Sequence, residues 1–278
     1  MERFRNAFNM ARNLPDAQAE PALRDLLREY PALPAADEGG LRYALGLALF
    51  HQNRAEEARE EFSRACALLE QAPGPDLALA ETALARAELA CNDIDRSVET
   101  GRRAFELLQR HLPADDPRMA PSLFALSFGE YMARHLDRAE ELNLRARDLW
   151  EKQRGPESLE VSTCLNNLGR IYEEAGRNEE GVAHHRAALA IRRKVLGDHP
   201  ETAFSMGNLG TALAAAGHWQ EAADMLEEAI ACYARCGRNE GRDIDGYRYN
   251  LNICKKPFAA FFAAAWQTPW PWPTPMTP

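Results

Sequence analysis

Asn167, Asn208 and Asn250 stand at matching points along the chain, 41 and 42 residues apart. A side-chain amide carries donors and an acceptor on one flat group, which are the two functions an extended peptide backbone offers. A row of amides at a fixed spacing is therefore suited to holding a strand of another chain. The same groups can equally tie one helix to the next, and both roles stay open at Asn167 and Asn208. The equivalent earlier positions are Ala44, Ala83 and Ala125. Three residues further along the same face lie Leu47, Arg86, Phe128, Arg170, Thr211 and Ile253, with Tyr43, Phe124, Tyr131 and Asn166 close by. Such a lining is apolar and aromatic at first, then polar with a single guanidinium.

Other reactive side chains form weaker patterns. His184 and His185 are adjacent, so on a helix their rings diverge by about 100° and the pair is a poor chelator. They read, with His199 and His218, as surface or groove histidines. The spacing of a His-Glu-x-x-His metal motif is missing, and Cys232 and Cys236, one helical turn apart, read as small packing residues. We expect no metal, no cofactor and no catalytic group. Glu56-Glu57, Glu140-Glu141 and Glu179-Glu180 recur where second helices begin, and there they favour the helix dipole.

The elements that position these groups follow from a repeat. Leu45, Leu84, Leu126, Leu168 and Leu209 are spaced by 39, 42, 42 and 41 residues. Each is followed by a small residue, by another thirteen positions on (Ala58, Ser97, Ala139, Gly181, Ala222), and by an alanine at twenty (Ala65, Ala104, Ala146, Ala188, Ala229). Small residues at fixed helical offsets mean close helix–helix approach, and a self-match at this period means a repeat array. Each unit reads as two helices. The first (A) carries the leucine, and the second (B) carries the alanine after a turn rich in Gly, Asn or Asp, residues that take the left-handed helix cap. Pro75, Pro117 and Pro200 lie nine residues before a marker leucine and suit the first turn of an A-helix.

The expected fold is all-α: a right-handed superhelical solenoid of antiparallel helix pairs. Residues 1–38 are N-terminal capping helices (Glu2–Asn13 and Ala19–Tyr30), 39–240 hold five repeats, 241–256 form the A-helix of a partial sixth, and 257–278 are an aromatic and proline-rich tail. In that tail Phe258–Trp266 would stand in for the missing B-helix. Trp270–Trp272, kept extended by prolines, would either remain free or dock intramolecularly in the groove.

Composition narrows function. Thirty-three basic against 42 acidic residues give a net charge of −9, which argues against nucleic acid and against an anionic membrane surface. No run of apolar residues is long enough to span a bilayer. The N-terminal twenty residues lack the apolar core of a signal peptide. Six scattered cysteines suit a reducing, cytoplasmic setting.

The Leu-small, small, Ala pattern resembles the tetratricopeptide repeat. With a unit near 42 residues, as in Leu165–Ala203 (LNNLGRIYEEAGRNEEGVAHHRAALAIRRKVLGDHPETA), it is similar to the kinesin-light-chain type. The likeness is strongest over Ser158–Cys236. It implies a non-enzymatic superhelix that binds a protein or peptide partner, with Asn167, Asn208 and Asn250 resembling the residues that clamp a peptide backbone and Arg86 and Arg170 supplying charge. Grooves of that type take a tryptophan flanked by acidic residues on a basic lining. Here Glu173 and Glu174 follow Arg170, and no lysine lines the face. A second class consistent with the array is a regulatory or sensor subunit, which binds a ligand or peptide and controls an associated effector enzyme.

Overall fold

The computed structural model describes residues 2–255, and thirteen α-helices and no strand occur among them. Both expectations for the tail, 257–278, lie outside the described residues. Two compact units divide the chain near residue 142, within the eighth helix.

The first unit begins with α1 (Glu2–Ala11) and α2 (Asp16–Glu29) and continues through α3 (Ala35–His51), α4 (Ala55–Leu69), α5 (Pro75–Ala90), α6 (Ile94–His111) and α7 (Met119–Met132) into α8 (Leu136–Arg154). The second holds the rest of α8, then α9 (Leu159–Glu174), α10 (Asn178–Leu196), α11 (Pro200–Ala215), α12 (Trp219–Arg235) and α13 (Arg242–Cys254). Within each unit successive helices pack in pairs, α3 on α4, α5 on α6, α9 on α10 and α11 on α12, and α4, α6, α10 and α12 also pack on the next A-helix. Alternate A-helices touch as well: α5 meets α7, and α11 meets both α9 and α13. This is an all-α repeat solenoid.

The periodic residues are the core. All five alanines at position twenty are 0% exposed, and no marker leucine exceeds 8%. Small residues after the leucines admit side chains seventeen positions on. A Cβ at Gly46 would lie 2.6 Å from the Phe62 ring, one at Gly169 2.5 Å from His185, and one at Gly210 2.7 Å from Leu226. No other residue type fits there without displacing its neighbour.

The turn inside each pair has one backbone solution. Eight residues after the marker leucine the chain takes positive φ in every repeat, at Asn53 (61°), Asn92 (63°), Arg134 (66°), Gly176 (74°) and Gly217 (87°). Gly and Asn tolerate this region, whereas Arg134 holds it at a steric cost. Pro75 and Pro200 open α5 and α11 as expected. Pro117 does not open α7, because Asp116 turns the chain first, accepting from Arg118 N at 2.9 Å and binding its guanidinium.

On the outer side of the second unit, exposed ion pairs join one repeat to the next: Arg186 to Glu221, Arg193 to Glu228 and Arg235 to Asp198.

Candidate functional site

The site follows from the A-helices, whose residues just before the marker leucine turn about 100° away from it. In the second unit this places Asn167 on α9 and Asn208 on α11, both partly exposed, and Asn250 on α13, which is buried. The three amides are used differently. Asn250 Nδ2 donates to Thr211 Oγ1 at 3.2 Å, and Thr211 in turn donates to Gly207 O at 3.0 Å. Asn208 Nδ2 donates to Asn166 Oδ1 at 3.1 Å. Asn167 has no side-chain hydrogen bond among the described residues. Asn208 and Asn250 thus also tie adjacent A-helices, the second role the sequence left open. The whole Asn167 amide and the Asn208 carbonyl oxygen are left without a side-chain partner among the described residues.

Behind this face lies a chain of polar groups. Asn166, 4% exposed, also accepts at the ring of His185, whose Nδ1 is 3.1 Å from its Oδ1. The other ring nitrogen, Nε2, lies 2.6 Å from Glu173 Oε1. His185 is 0% exposed and so is not the surface or groove histidine expected from sequence; its neighbour His184 is partly exposed. The physical reason is register. His185 stands seventeen residues after Leu168, where other repeats place Phe62 and Leu226 in the core, and Gly169 leaves it room. That offset was readable in the sequence, although the doublet His184-His185 drew attention to the surface instead. Arg170 is partly buried near the hydroxyl of Tyr247, and burial among its neighbours pushes that phenol well above its ordinary range.

In the first unit, Arg86 on α5 reaches solvent, with its guanidinium 5.0 Å above the Phe50 ring. No carboxylate pairs with it among the described residues. Surrounding protein pulls its pKa below the usual arginine value, while Tyr43 on α3, partly buried beside Phe62, is pushed up by desolvation. A cation over an aromatic ring beside a phenol suits an anionic or polar group. Phe128 on α7 is partly exposed, and Tyr131 is buried and stacks on it at 6.2 Å, so Phe128 lines the face while Tyr131 supports it. Elsewhere in this unit a cleft of about 220 Å³ is bounded by Glu70, Glu81, Arg103 and Glu106. Glu81 Oε1 accepts from Arg103 Nε at 2.7 Å, while Oε2 is buried without a partner, and burial pushes the carboxyl pKa up.

Among the described residues no three His, Cys, Asp or Glu side chains gather as a metal site, and no helix is long and apolar enough to cross a membrane.

The tetratricopeptide repeat family model matches residues 119–180 and 173–235. No curated protein matches the chain. Among solved structures, the nearly identical TPR-like repeats assigned to a kinesin light chain of Podosopora anserina share 22% identity, cover 74% of this chain and 99% of that one, and superpose with a TM-score of 0.63. BtubC (BKLC) from P. vanneervenii shares 20% identity over 86% of this chain and 94% of its own, at a TM-score of 0.65. A Rap protein complexed with Competence and Sporulation Factor shares 15% over 95% and 75%, at 0.66. Residues 119–235 thus match the tetratricopeptide repeat family, in a chain whose fold is that of kinesin-light-chain-type arrays.

Proposed function

We propose that the chain is a non-enzymatic, cytoplasmic module that captures an extended segment of a partner protein or peptide on the exposed faces of its A-helices. The observation that carries this reading is the pair of amides on α9 and α11. Asn167 is unbonded and Asn208 is only half engaged, and they stand on neighbouring helices at the spacing of the repeat. An extended backbone laid across them meets a donor and an acceptor from Asn167 and an acceptor from Asn208. Arg86, unpaired over Phe50, gives the first unit a separate point of contact for an acidic or polar group. Asn166 and Tyr131 act behind the binding face, and Asn250 fastens the last A-helix.

A second reading is supported by the Rap protein complexed with Competence and Sporulation Factor, whose likeness covers 95% of this chain. In it the array is the sensing part of a regulator that acts on an effector enzyme.

An array of immobilised peptides of diverse sequence, probed with the wild-type chain and with the double variant Asn167→Ala/Asn208→Ala, tests the proposal. Each hydrogen bond is worth about 0.5–1.5 kcal/mol, so peptides retained by the wild type should lose about one to two decades of affinity. Helical content should be unchanged. Equal affinity in a folded double variant would place binding away from these helices.

A further inference from the structure

His185 stands in a buried line of hydrogen bonds that ends at the binding face. Its Nδ1 faces Asn166 Oδ1 at 3.1 Å, its Nε2 faces Glu173 Oε1 at 2.6 Å, and the same Asn166 oxygen accepts from Asn208 Nδ2 at 3.1 Å. Two glycines fit the pair into the core. A Cβ at Gly169 would lie 2.5 Å from His185 Nε2, and one at Gly181 2.9 Å from Glu173 Cγ. Both ring nitrogens meet oxygen acceptors, so the arrangement is complete only when both carry protons. We propose that the proton on His185 Nδ1 sets whether Asn208 presents an acceptor or donors to a bound segment. This makes His185 a positioning and specificity-determining residue for the face described above, and it rests on the reading of Asn208 as a binding residue.

The consequence of losing one proton follows from donor and acceptor counting. The Nε2 proton sits against the Glu173 carboxylate, so the proton released to bulk water is the one on Nδ1. Its lone pair then faces the Asn166 carbonyl oxygen, acceptor against acceptor. A half-turn of the Asn166 amide removes the conflict, because Nδ2 carries two hydrogens where Oδ1 offered two lone pairs. One hydrogen goes to His185 Nδ1 and the other points at Asn208. Asn208 must then turn as well, giving its oxygen to Asn166 and its NH2 to the solvent side. With His185 doubly protonated, Asn208 offers a carbonyl oxygen to the ligand; with His185 neutral, it offers N–H donors. A bound backbone would have to shift its pairing accordingly.

Charged groups stand on the helices around this ring. From α9, Glu173 is in contact, and Arg170 is near Tyr247. From α11 the sole titratable group is Glu201, beside Arg192 of α10. Also on α10, Arg186 pairs outward with Glu221 and His184 bonds Glu180 O. From α8, Arg147 and Asp148 pair with each other.

Nitrogen NMR on the full 15N-labelled chain, with no ligand present, tests the switch in a pH series from about 5 to about 9. The expected result at low pH is a His185 ring with both nitrogens protonated. At high pH, Nδ1 should move into the range of a nitrogen bearing a lone pair, and a scalar coupling should appear across the new hydrogen bond between Asn166 Nδ2 and His185 Nδ1. In Glu173→Gln the amide can donate to Nε2 as readily as accept from it, so Nε2 is no longer fixed as the protonated nitrogen and the pH profile of the coupling should differ from wild type. Three outcomes would overturn the proposal: a ring that stays doubly protonated across the range, a neutral ring that keeps its Nδ1 proton, or a pH-dependent coupling in Glu173→Gln equal to wild type. Because the spectra need no ligand, they stand or fall apart from the peptide-array result.

Discussion

Replacing Gly169 by alanine asks directly whether the buried histidine is held where the structure puts it. Alanine is the better helix former by about 1 kcal/mol, so propensity alone favours the variant. Against this, the new Cβ would lie 2.5 Å from His185 Nε2 and 2.6 Å from Cδ2. Relief requires the ring to retreat by about 1 Å, and overpacking of this kind costs about 1–3 kcal/mol. The Nε2–Glu173 contact is 2.6 Å; the retreat breaks it, and a hydrogen bond to a charged group contributes about 1.5–3 kcal/mol. The balance is a net loss of about 1.5–5 kcal/mol. Two partner substitutions calibrate it. At Gly210 the clash is with the apolar Leu226 side chain at 2.7 Å, with no polar contact to lose, so the loss should be about 0–2 kcal/mol. At Gly40 the nearest atom is 4.0 Å away, on Phe8, so alanine should stabilise by about 0.5–1 kcal/mol. Urea unfolding followed by far-ultraviolet circular dichroism, with amide hydrogen exchange to localise each effect, reads all three. Gly169→Ala as stable as wild type, or milder than Gly210→Ala, would refute the placement of His185.

Leu168→Ala should destabilise by about 2–5 kcal/mol and Ala188→Leu by about 1–3 kcal/mol in the same assay, since one opens a cavity and the other forces two helices apart; a neutral result for either would show the repeat register to be wrong. Arg134→Gly should raise stability by about 0.5–1 kcal/mol, because relief of a left-handed non-glycine residue outweighs the added chain entropy, and a loss would mean that Arg134 side-chain contacts dominate. Glu81 has its folded-state pKa raised by burial, so the native state holds the proton more tightly and stability falls as pH rises from the unfolded-state value through the folded one. Urea midpoints measured from about pH 4 to about pH 7 should therefore decline less steeply in Glu81→Gln than in wild type, and parallel profiles would contradict the burial of this carboxyl.

The fold was legible because its cause is steric and therefore periodic. An alanine such as Ala188 recurs since nothing larger lets B meet A at that level, and each turn repeats its left-handed residue because the backbone reverses in the same way. The candidate face was less legible. An asparagine carries the same signal whether it bonds a ligand or a helix, and the difference between Asn167 and Asn208 depends on what stands one repeat away. Asn208 finds a partner because Asn166 lies across from it, held by His185. The occupant of position seventeen changes from Phe62 to Gly101, Asn143, His185 and Leu226, so no conserved spacing announces it. Its burial follows from offset alone, and its polar partners follow from three-dimensional packing.

The ion pairs between successive B-helices of the second unit give its two sides different mechanics. A-helices α9, α11 and α13 are spaced by atoms in contact, which are nearly incompressible. The outer side between α10 and α12 is tethered through Arg186–Glu221 and Arg193–Glu228, long exposed side chains whose attraction is worth about 0–1 kcal/mol per pair and weakens as salt shortens the screening length. The second unit thus holds its A-helices by direct contact and adds salt-sensitive ion pairs between α10 and α12. Raising the ionic strength weakens these outer tethers while leaving the contacts between α9, α11 and α13 unscreened.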